Sequence, residues 1–275
     1  MIENIDHKVV EEFGNEWNEF DQSKLPEDEL KSIFKDYFRI FPWNKISKSS
    51  SGFDLGCGSG RWAKFVSPKV GKLFCIDPSN AIEVAKKNLK NFKNCIFIKS
   101  GVDELPFDDN SMDFAYSLGV LHHIPDTKDG LKKAVRKLKK GAPFLVYLYY
   151  ALDNQPFWFK TLWKISDHFR KAISSLPFRL KLFITNVIAL LVYFPLARLC
   201  QLFFKTGVDV HSFPLSNYRN KSFYTMRTDA LDRFGTKLEL RYTRNEIEEM
   251  MISAGLIEII FSNSTPYWCA VGIKK

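Results

Sequence analysis

With 275 residues, 45% of them hydrophobic, the chain is long enough to bury a substantial core as one large domain or as a domain with an insertion. Five cysteines without a Cys-x-x-Cys pair, several inside predicted strands, indicate buried thiols in a reducing compartment. The polar amino-terminal residues lack the apolar core of a signal peptide, so we predict a cytoplasmic protein.

The net charge of +9 is concentrated in one segment of the chain. Residues 153–242 hold fourteen Lys and Arg against six Asp and Glu, and the same segment is rich in Phe, Trp and Tyr. A basic, aromatic segment indicates an anionic partner. We place a membrane surface ahead of nucleic acid, because these charges flank long apolar stretches instead of forming an open stripe.

Residues 1–50 are strongly patterned with aromatic side chains. Apolar residues recur at helical spacing between positions 27 and 41, and Trp17 and Phe20 belong to an aromatic stretch that precedes them. This spacing predicts two amino-terminal helices that pack on the core.

Strand-like and helix-like stretches alternate from residue 51 to 152, which predicts an α/β fold with a doubly wound parallel sheet. Strands are predicted near residues 52–55, 72–76, 95–99, 112–117 and 143–149, with closing strands near 257–262 and 267–273. The alternation stops after Tyr150, so residues 153–242 are predicted to form a large helical insertion after the fifth strand. Residues 51–152 and 243–275 then build one core domain around a seven-stranded, mostly parallel sheet.

Two predicted helix starts carry the pattern of a capping box. Asn80 is followed by Glu83 at the third position, and Thr243 is followed in the same way by Glu246. The reciprocal side-chain bonds of such a box satisfy N–H groups that the first turn of a helix leaves unpaired. We therefore predict a capped helix after each pair.

A glycine-rich turn follows the first predicted strand. A short apolar run ends at Asp54, and Gly56, Gly58 and Gly60 then occupy alternate positions before an amphipathic stretch begins at Arg61. Glycine is needed where the backbone takes positive φ or closely approaches a ligand, and the start of a helix favours polar or anionic ligand groups. The G-x-G-x-G spacing differs from the G-x-G-x-x-G fingerprint of dinucleotide-binding proteins.

Four further segments follow this turn in a fixed order, at residues 73–79, 100–107, 111–125 and 136–146. Together with the turn they resemble the class I S-adenosylmethionine-dependent methyltransferases over about a hundred residues. The segments correspond in that family to the second strand, the adenine loop, the fourth strand with the loop after it, and the fifth strand. The parts Asp54–Gly60, Asp77, Val102–Asp103 and Ser117–His123 fall at the carboxyl ends of predicted strands, where such sheets bind ligands.

The resemblance implies S-adenosylmethionine as cofactor and S-adenosylhomocysteine as product. In this family the acid that ends the second strand holds the ribose hydroxyls. Amino-terminal helices often cover the cofactor, so residues 1–50 are expected to form a helical lid, with Trp17 and Phe20 as contacts, as the alternative to packing on the core alone. The cofactor-binding residues implied in this way are Asp54, Gly56, Gly58, Gly60, Asp77, Pro78, Val102, Asp103, Ser117, Leu118, His122 and Trp17. Gly101 occupies the position where the adenine loop often has an acid, so Asp103 or backbone amides would have to bind the adenine in its place.

Two adjacent histidines, His122 and His123, follow the fourth strand beside the expected methyl position. A general base is needed only for a weakly acidic acceptor, and either histidine could serve, or both could shape the loop or contact the cofactor. Adjacent histidines in a loop do not present the convergent ligands that zinc needs, so no metal site is predicted. For the substrate we predict contacts from Tyr150, Asn154 and Arg227.

Residues 182–197 of the insertion carry no charge and are bounded by Lys181 and Arg198. A spanning helix needs about 20 apolar residues, and a single span would separate the closing strands from the rest of their sheet, so we predict no membrane crossing. Two interpretations stay open: a helical cap that walls the substrate cleft, and an interfacial element on an anionic bilayer. The two are compatible if the substrate is a lipid or a lipid-linked precursor.

The sequence therefore predicts a cytoplasmic methyltransferase, with a peripheral position at the inner membrane face as an open alternative. The methyl group would go to an oxygen, nitrogen or carbon of a small-molecule, saccharide or lipid-like acceptor. One rival is a nicotinamide-dependent reductase, which the glycine spacing and the absence of a Tyr-x-x-x-Lys set disfavour. The other is a non-catalytic cofactor-binding or membrane-adaptor protein. The sequence leaves the acceptor and the oligomeric state open.

Overall fold

The computed structural model describes residues 3–210 and 213–275, and the chain divides into two compact units. The first, the core unit, comprises the chain up to Gln22, Leu30–Ala151 and Leu238–Lys275. The second, the insertion unit, comprises Ser23–Glu29 and Leu152–Lys237. A short amino-terminal segment thus joins the insertion unit, whereas residues 238–242 belong to the core unit.

The core unit is built on a sheet of seven strands in the order β3-β2-β1-β4-β5-β7-β6. The strands are β1 (Ser51–Leu55), β2 (Lys72–Ile76), β3 (Cys95–Ile98), β4 (Phe114–Leu118), β5 (Pro143–Tyr147), β6 (Leu256–Phe261) and β7 (Ala270–Lys274). Strands β1 to β5 pair in parallel, and β7 lies antiparallel between β5 and β6. The predicted doubly wound, mostly parallel sheet of seven strands is confirmed.

Helices flank this sheet and form the insertion unit. They are α1 (His7–Glu19), α2 (Glu27–Tyr37), α3 (Ala63–Val66), α4 (Ala81–Asn88), α5 (Thr127–Arg136), α6 (Phe157–Ile173), α7 (Phe178–Ile188), α8 (Phe194–Lys205), α9 (Phe223–Gly235) and α10 (Arg244–Ser253). A π-helical turn, Ala189–Tyr193, joins α7 to α8 without a break.

One of the two predicted capping boxes forms. Thr243 and Glu246 make both reciprocal bonds at the start of α10, as predicted. Asn80 precedes α4 but makes no side-chain cap bond, so that prediction is wrong. Its side-chain oxygen instead accepts a hydrogen bond from Lys99 Nζ at 2.7 Å. The ammonium group of Lys99, which is distant in sequence, thus takes the place of a backbone N–H of α4 as the donor to Asn80.

The central strands are buried on both faces, as a parallel sheet covered by helices requires. Phe53, Phe114 and Phe144, on three adjacent strands, are completely buried, and every residue of β4 is buried. All five cysteines are buried and none forms a disulfide among the described residues, which confirms the prediction of buried thiols. The apolar strand sequences therefore form a buried sheet, and the site lies at the carboxyl ends of its strands.

The insertion unit packs its helices around α9. Both α6 and α7 contact α9, and the helix α7–α8 buries a stripe at spacings of four: Lys181, Thr185, Ala189, Tyr193 and Ala197. Such a stripe drifts about 40° around an ideal α-helix at each step, because four residues exceed one turn of 3.6. The wider π turn at its centre offsets part of this drift. The stripe therefore keeps facing the unit's interior over its length.

Candidate functional site

The glycine turn lies between β1 and α3, at the carboxyl end of the sheet. Gly56, Gly58 and Gly60 all adopt positive φ, at 78°, 53° and 77°. A Cβ on Gly56 would lie 2.4 Å from the Val120 side chain, and one on Gly58 would lie 2.9 Å from the indole nitrogen of Trp17. The turn therefore has no room for side chains, and Trp17 of α1 lies directly over it.

Asp77, at the end of β2, braces this turn. One carboxylate oxygen accepts the Gly58 N–H at 2.9 Å, and the other accepts the Ser79 N–H at 2.9 Å and the Ser79 hydroxyl at 2.6 Å. Burial raises the pKa of Asp77, while the bonds from Ser79 and Gly58 oppose that shift. A carboxylate has about four acceptor positions, so these three bonds leave capacity for one more donor.

Asp54, near the end of β1, is almost completely buried. Neither of its carboxyl oxygens has a partner in hydrogen-bond geometry among the described residues, although the Tyr116 hydroxyl is close enough to oppose the shift of its pKa. Burial raises the pKa of Asp54 well above its usual value. Buried polar groups without partners are rare, so this carboxyl is a candidate acceptor for a ligand donor.

A pocket opens beside the turn, entirely within the core unit. It encloses about 430 Å³, including its open mouth. Its lining residues are Asn4, Ile5, Asp6, Val10, Leu55, Gly56, Pro78, Gly101, Val102, Val120, Leu121, His123 and Ile124. Gly56, Pro78, Val102 and His123 are among the residues that the sequence predicts for the site.

The amino-terminal wall of this pocket was not predicted from the sequence. Asn4 is buried and clamps the segment before α1: its side chain donates to the Asp126 carbonyl at 2.8 Å and accepts the Asp126 N–H at 2.7 Å. Asp6 caps α1 by accepting the N–H groups of Lys8 and Val9. An Asp before a helix is a readable start signal, but nothing local indicates that Asn4 reaches residue 126.

Asp103, predicted to face the adenine, has protein partners in this structure. Its carboxylate accepts the Asn4 N–H at 2.7 Å and pairs with Lys133 Nζ at 2.8 Å. Burial raises the pKa of Asp103, but the bonds from Lys133 and Asn4 outweigh it and lower the pKa overall. Its neighbour Val102 lines the pocket. Asp103 thus secures the amino-terminal wall.

Ser117 and Leu118 end β4 and are both buried. The Ser117 hydroxyl donates to the Leu55 carbonyl at 3.0 Å, which ties the end of β4 to the end of β1. Neither residue is part of the pocket lining. They hold the two strand ends from which the glycine turn and the histidine loop emerge.

The two histidines occupy different environments. His123 lines the pocket, and its Nδ1 lies 2.6 Å from the Leu238 carbonyl. A carbonyl only accepts, so Nδ1 carries the proton and Nε2 is the basic nitrogen of the neutral ring. His122 is completely buried, its ring nitrogens have no partner among the described residues, and burial holds its pKa well below the usual value.

Aromatic rings connect the histidines to both amino-terminal helices. Consecutive ring centroids lie 3.9 to 5.9 Å apart along a series that we call the aromatic chain: Phe13, His123, His122, Tyr149, Tyr147, Tyr37 and Trp62. Arg61 stacks on both Trp62 and Trp17, at 4.4 and 5.1 Å. Phe13 and Trp17 both belong to α1, so this series of ring contacts begins and ends at the same helix.

The predicted substrate residues are divided between the two units. Tyr150 belongs to the core unit, where its ring lies 5.7 Å from that of Tyr267 and its carbonyl accepts a bond from Arg241. Asn154 and Arg227 belong to the insertion unit; Asn154 is exposed, and Arg227 Nε donates to the Asn186 side chain at 2.8 Å. No cluster of three or more metal-ligating side chains occurs in residues 3–210 and 213–275.

Comparison with known proteins agrees with this arrangement. The methyltransferase domain family matches residues 53–146, from β1 to β5. A SAM-dependent methyltransferase from Thermotoga maritima superposes over 97% of this chain and all of its own, with a TM-score of 0.52 and 17% identity. A chain from a complex that contains the Haloferax volcanii Trm112 methyltransferase activator covers 96% of both chains, with a TM-score of 0.54 and 17% identity.

At such low identity the structural likeness shows the fold alone. The family match covers about a third of the chain, from β1 to β5, and confirms the predicted resemblance to the class I S-adenosylmethionine-dependent methyltransferases over that part. A curated relative is the demethylmenaquinone methyltransferase of Staphylococcus carnosus, 32% identical over 107 residues. That match spans 38% of this chain and 44% of the relative, so the shared part is less than half of either protein.

Proposed function

We propose that this protein transfers a methyl group from S-adenosylmethionine to a flat, apolar acceptor of the quinol type. The observation that carries the proposal is the pocket beside the glycine turn, because its lining combines this turn with the ends of the strands that the family match covers. When bound, the cofactor supplies an electrophilic methyl group. The residues around the pocket then have to bind, orient and shield the reactants.

The residues present fit the cofactor. The positive-φ turn brings the main chain of Gly56 to the pocket, which this residue lines, so a ligand there can approach the backbone closely. Asp77 retains acceptor capacity for a sugar hydroxyl, and the unsatisfied Asp54 carboxyl offers an acceptor to an ammonium group. Trp17, packed over Gly58, would cover the bound molecule and exclude water.

The aromatic chain supports the choice of acceptor. Of its members His123 lines the pocket, where a ring face suits a planar acceptor and attracts the positive charge of a sulfonium. The curated relatives add independent support, since their name denotes a quinone substrate. An aromatic hydroxyl is acidic enough to need only modest help from a base, unlike the hydroxyl of a sugar.

His123 is the better placed of the two histidines for that help. It lines the pocket, and its bond to Leu238 fixes the proton on Nδ1, which leaves Nε2 to accept a proton. His122 lies behind it, stacked on Tyr149 with ring centroids 3.9 Å apart. We therefore assign proton acceptance to His123 and positioning of the aromatic chain to His122.

Calorimetry and an acceptor assay test the proposal in two stages. We expect binding of S-adenosylmethionine and S-adenosylhomocysteine but not of NAD, and loss of binding in Gly58→Val, whose Cβ would meet Trp17. Gly141→Val, at another positive-φ glycine with open space around it, is the matched control for backbone strain. Binding of NAD alone, or unaltered affinity in Gly58→Val, would refute the cofactor assignment.

The second stage compares acceptors. Reduced naphthoquinones should accept a methyl group from labelled S-adenosylmethionine, whereas sugars and small amines should not. His123→Gln should lower kcat while leaving the affinity for S-adenosylhomocysteine unchanged, and His122→Gln should affect KM more than kcat. Methylation of amines in preference to quinols would overturn the acceptor class but not the cofactor assignment.

A further inference from the structure

The insertion unit exposes an unusual number of large apolar side chains. Along α6 they are Phe157, Trp158, Leu162, Ile165 and Phe169; along α7, the π turn and α8 they are Leu180, Phe183, Val187, Leu190, Leu191, Val192, Phe194, Leu196, Leu199, Leu202, Phe203 and Phe204. Phe157 is 84% exposed, and Phe183 and Leu191 are 65% and 67% exposed. Large apolar side chains exposed in this number mark an interaction site.

The helix from Phe178 to Lys205 contributes most of this surface. It has 28 residues, is long and apolar enough to cross a membrane, and only 22% of its most apolar window is buried. A core helix of the same composition would be mostly buried. The sequence alone pointed to a shorter run of sixteen uncharged residues, and the structure extends the apolar helix on both sides of it.

The two charges that bound the uncharged run are directed into the insertion unit. Lys181 is buried and donates to the Gly235 carbonyl at 3.0 Å. Arg198 donates to the Arg219 carbonyl at 2.8 Å and to the Lys221 carbonyl at 3.2 Å. Both cations are therefore held by carbonyl oxygens of the unit, and the outer face of the helix is left without a charge at either position.

Helix α6 adds positive charge to apolar surface. Trp158, Leu162, Ile165 and Phe169 follow each other at spacings of four and three, which places them on one face of the helix. At about 100° per residue, Lys160, Lys164 and Lys171 form a second row, roughly 130–170° around the helix from that face. A helix with large apolar side chains on one side and lysines on the other is the pattern of an element that lies in the interface of an anionic membrane.

We propose that the insertion unit docks on an anionic lipid bilayer, with the helix Phe178–Lys205 lying along the surface and not across it. Strand β5 precedes this helix and β7 follows it, and the two strands pair directly, Pro143 with Ile273 and Leu145 with Val271. One crossing would place these paired strands on opposite sides of the membrane. The apolar face therefore enters one leaflet from the side on which the sheet lies.

Vesicle flotation tests this proposal with the whole protein and without any methyl acceptor. Vesicles of phosphatidylcholine with phosphatidylglycerol should carry the protein upward at low salt, and pure phosphatidylcholine should carry less. Phe183→Ser with Leu191→Ser should lower the partition coefficient roughly a hundredfold, since two large apolar side chains no longer enter the lipid. Circular dichroism and the melting temperature verify that the variant is folded.

The matched control replaces equally exposed apolar residues of the core unit. Ile252 and Ile260 are 59% and 57% exposed, and Ile252→Ser with Ile260→Ser should float like the unaltered protein. Equal loss in both double variants would show nonspecific adsorption and overturn the proposal. So would a folded protein that stays with the soluble fraction on anionic vesicles at low salt. A soluble dimer that the Phe183→Ser and Leu191→Ser variant dissociates would assign this face to a second copy of the chain instead.

A second pair of variants tests the charge component. Lys160→Gln with Lys164→Gln should weaken binding to anionic vesicles by about thirtyfold at low salt and have little effect on neutral ones. Lys90→Gln with Lys93→Gln removes two exposed lysines from the core unit and should leave binding unchanged. If both lysine pairs weaken binding equally, the attraction comes from net charge and not from this docking face.

Discussion

The core unit and the insertion unit differ in how much of their apolar sequence is buried. In the core unit, the runs of β1, β4 and β5 are covered on both faces, and their phenylalanines are completely buried. In the insertion unit, a longer apolar run buries one stripe against the unit's interior and leaves the rest of its side chains exposed. Apolar residues build a core only where partners surround them; elsewhere they form a surface that needs an apolar neighbour of its own.

This difference in burial is tested most directly by truncating one apolar side chain in each unit and comparing the loss of stability. Phe144→Ala in the buried β5 should lower the free energy of unfolding by about 3–5 kcal/mol, since it loses burial and leaves a cavity. Leu191→Ala, at an exposed position, should change it by less than about 0.5 kcal/mol. Urea denaturation of both variants measures the difference, and similar losses would show that Leu191 is packed.

A smaller effect is expected from the polar brace of the core unit. Asp77→Asn replaces one carboxylate oxygen by a donor, so either Gly58 or Ser79 loses its acceptor. The free energy of unfolding should fall by about 1–3 kcal/mol, and affinity for S-adenosylhomocysteine should fall with it. Asp108→Asn, an exposed aspartate of the same unit, is the control and should be neutral. Unchanged stability and binding would contradict the bracing role.

The amino-terminal wall should respond more locally. Asn4→Ala removes both bonds to Asp126, at a cost of about 1–2 kcal/mol. We expect faster amide hydrogen exchange in α1 and weaker cofactor binding, with β4 and β5 unaffected. Asn18→Ala, an exposed position on α1, is the control. Equal exchange rates in both variants would mean that the wall is held by other contacts.

The smallest expected effect is a dependence on pH. Burial holds the pKa of His122 well below its usual value, so the folded core keeps this ring neutral while the unfolded chain takes up a proton below about pH 6.5. The free energy of unfolding should therefore fall as the pH drops below that value, by at most about 1.4 kcal/mol per pH unit from this group.

The matched variants separate this contribution from the others. His122→Gln should flatten the acid dependence, whereas His168→Gln, an exposed histidine of the insertion unit, should leave it unchanged. Urea denaturation at several pH values between neutral and mildly acidic provides the measurement. A slope that survives in His122→Gln would assign the dependence to carboxyl groups.

Much of the core unit could be predicted from the sequence because its signals are local. A strand, a glycine turn and a helix start are encoded within about a dozen consecutive residues, and the acid at Asp77 follows at the end of the next apolar run. The order of such elements then determines which strand ends meet at one edge of the sheet. The fold and the position of the pocket follow from that order.

Only the tertiary structure decided which side chains face the pocket and which face of the apolar helix is covered. Asn4 reaches Asp126, Asn80 turns to Lys99 instead of its own helix, and His123 but not its neighbour lines the pocket. Each outcome depends on groups distant in sequence that compete for one donor, acceptor or apolar contact. Periodicity says that residues 182–197 form an apolar helix, but its exposure depends on how many neighbours the rest of the chain supplies.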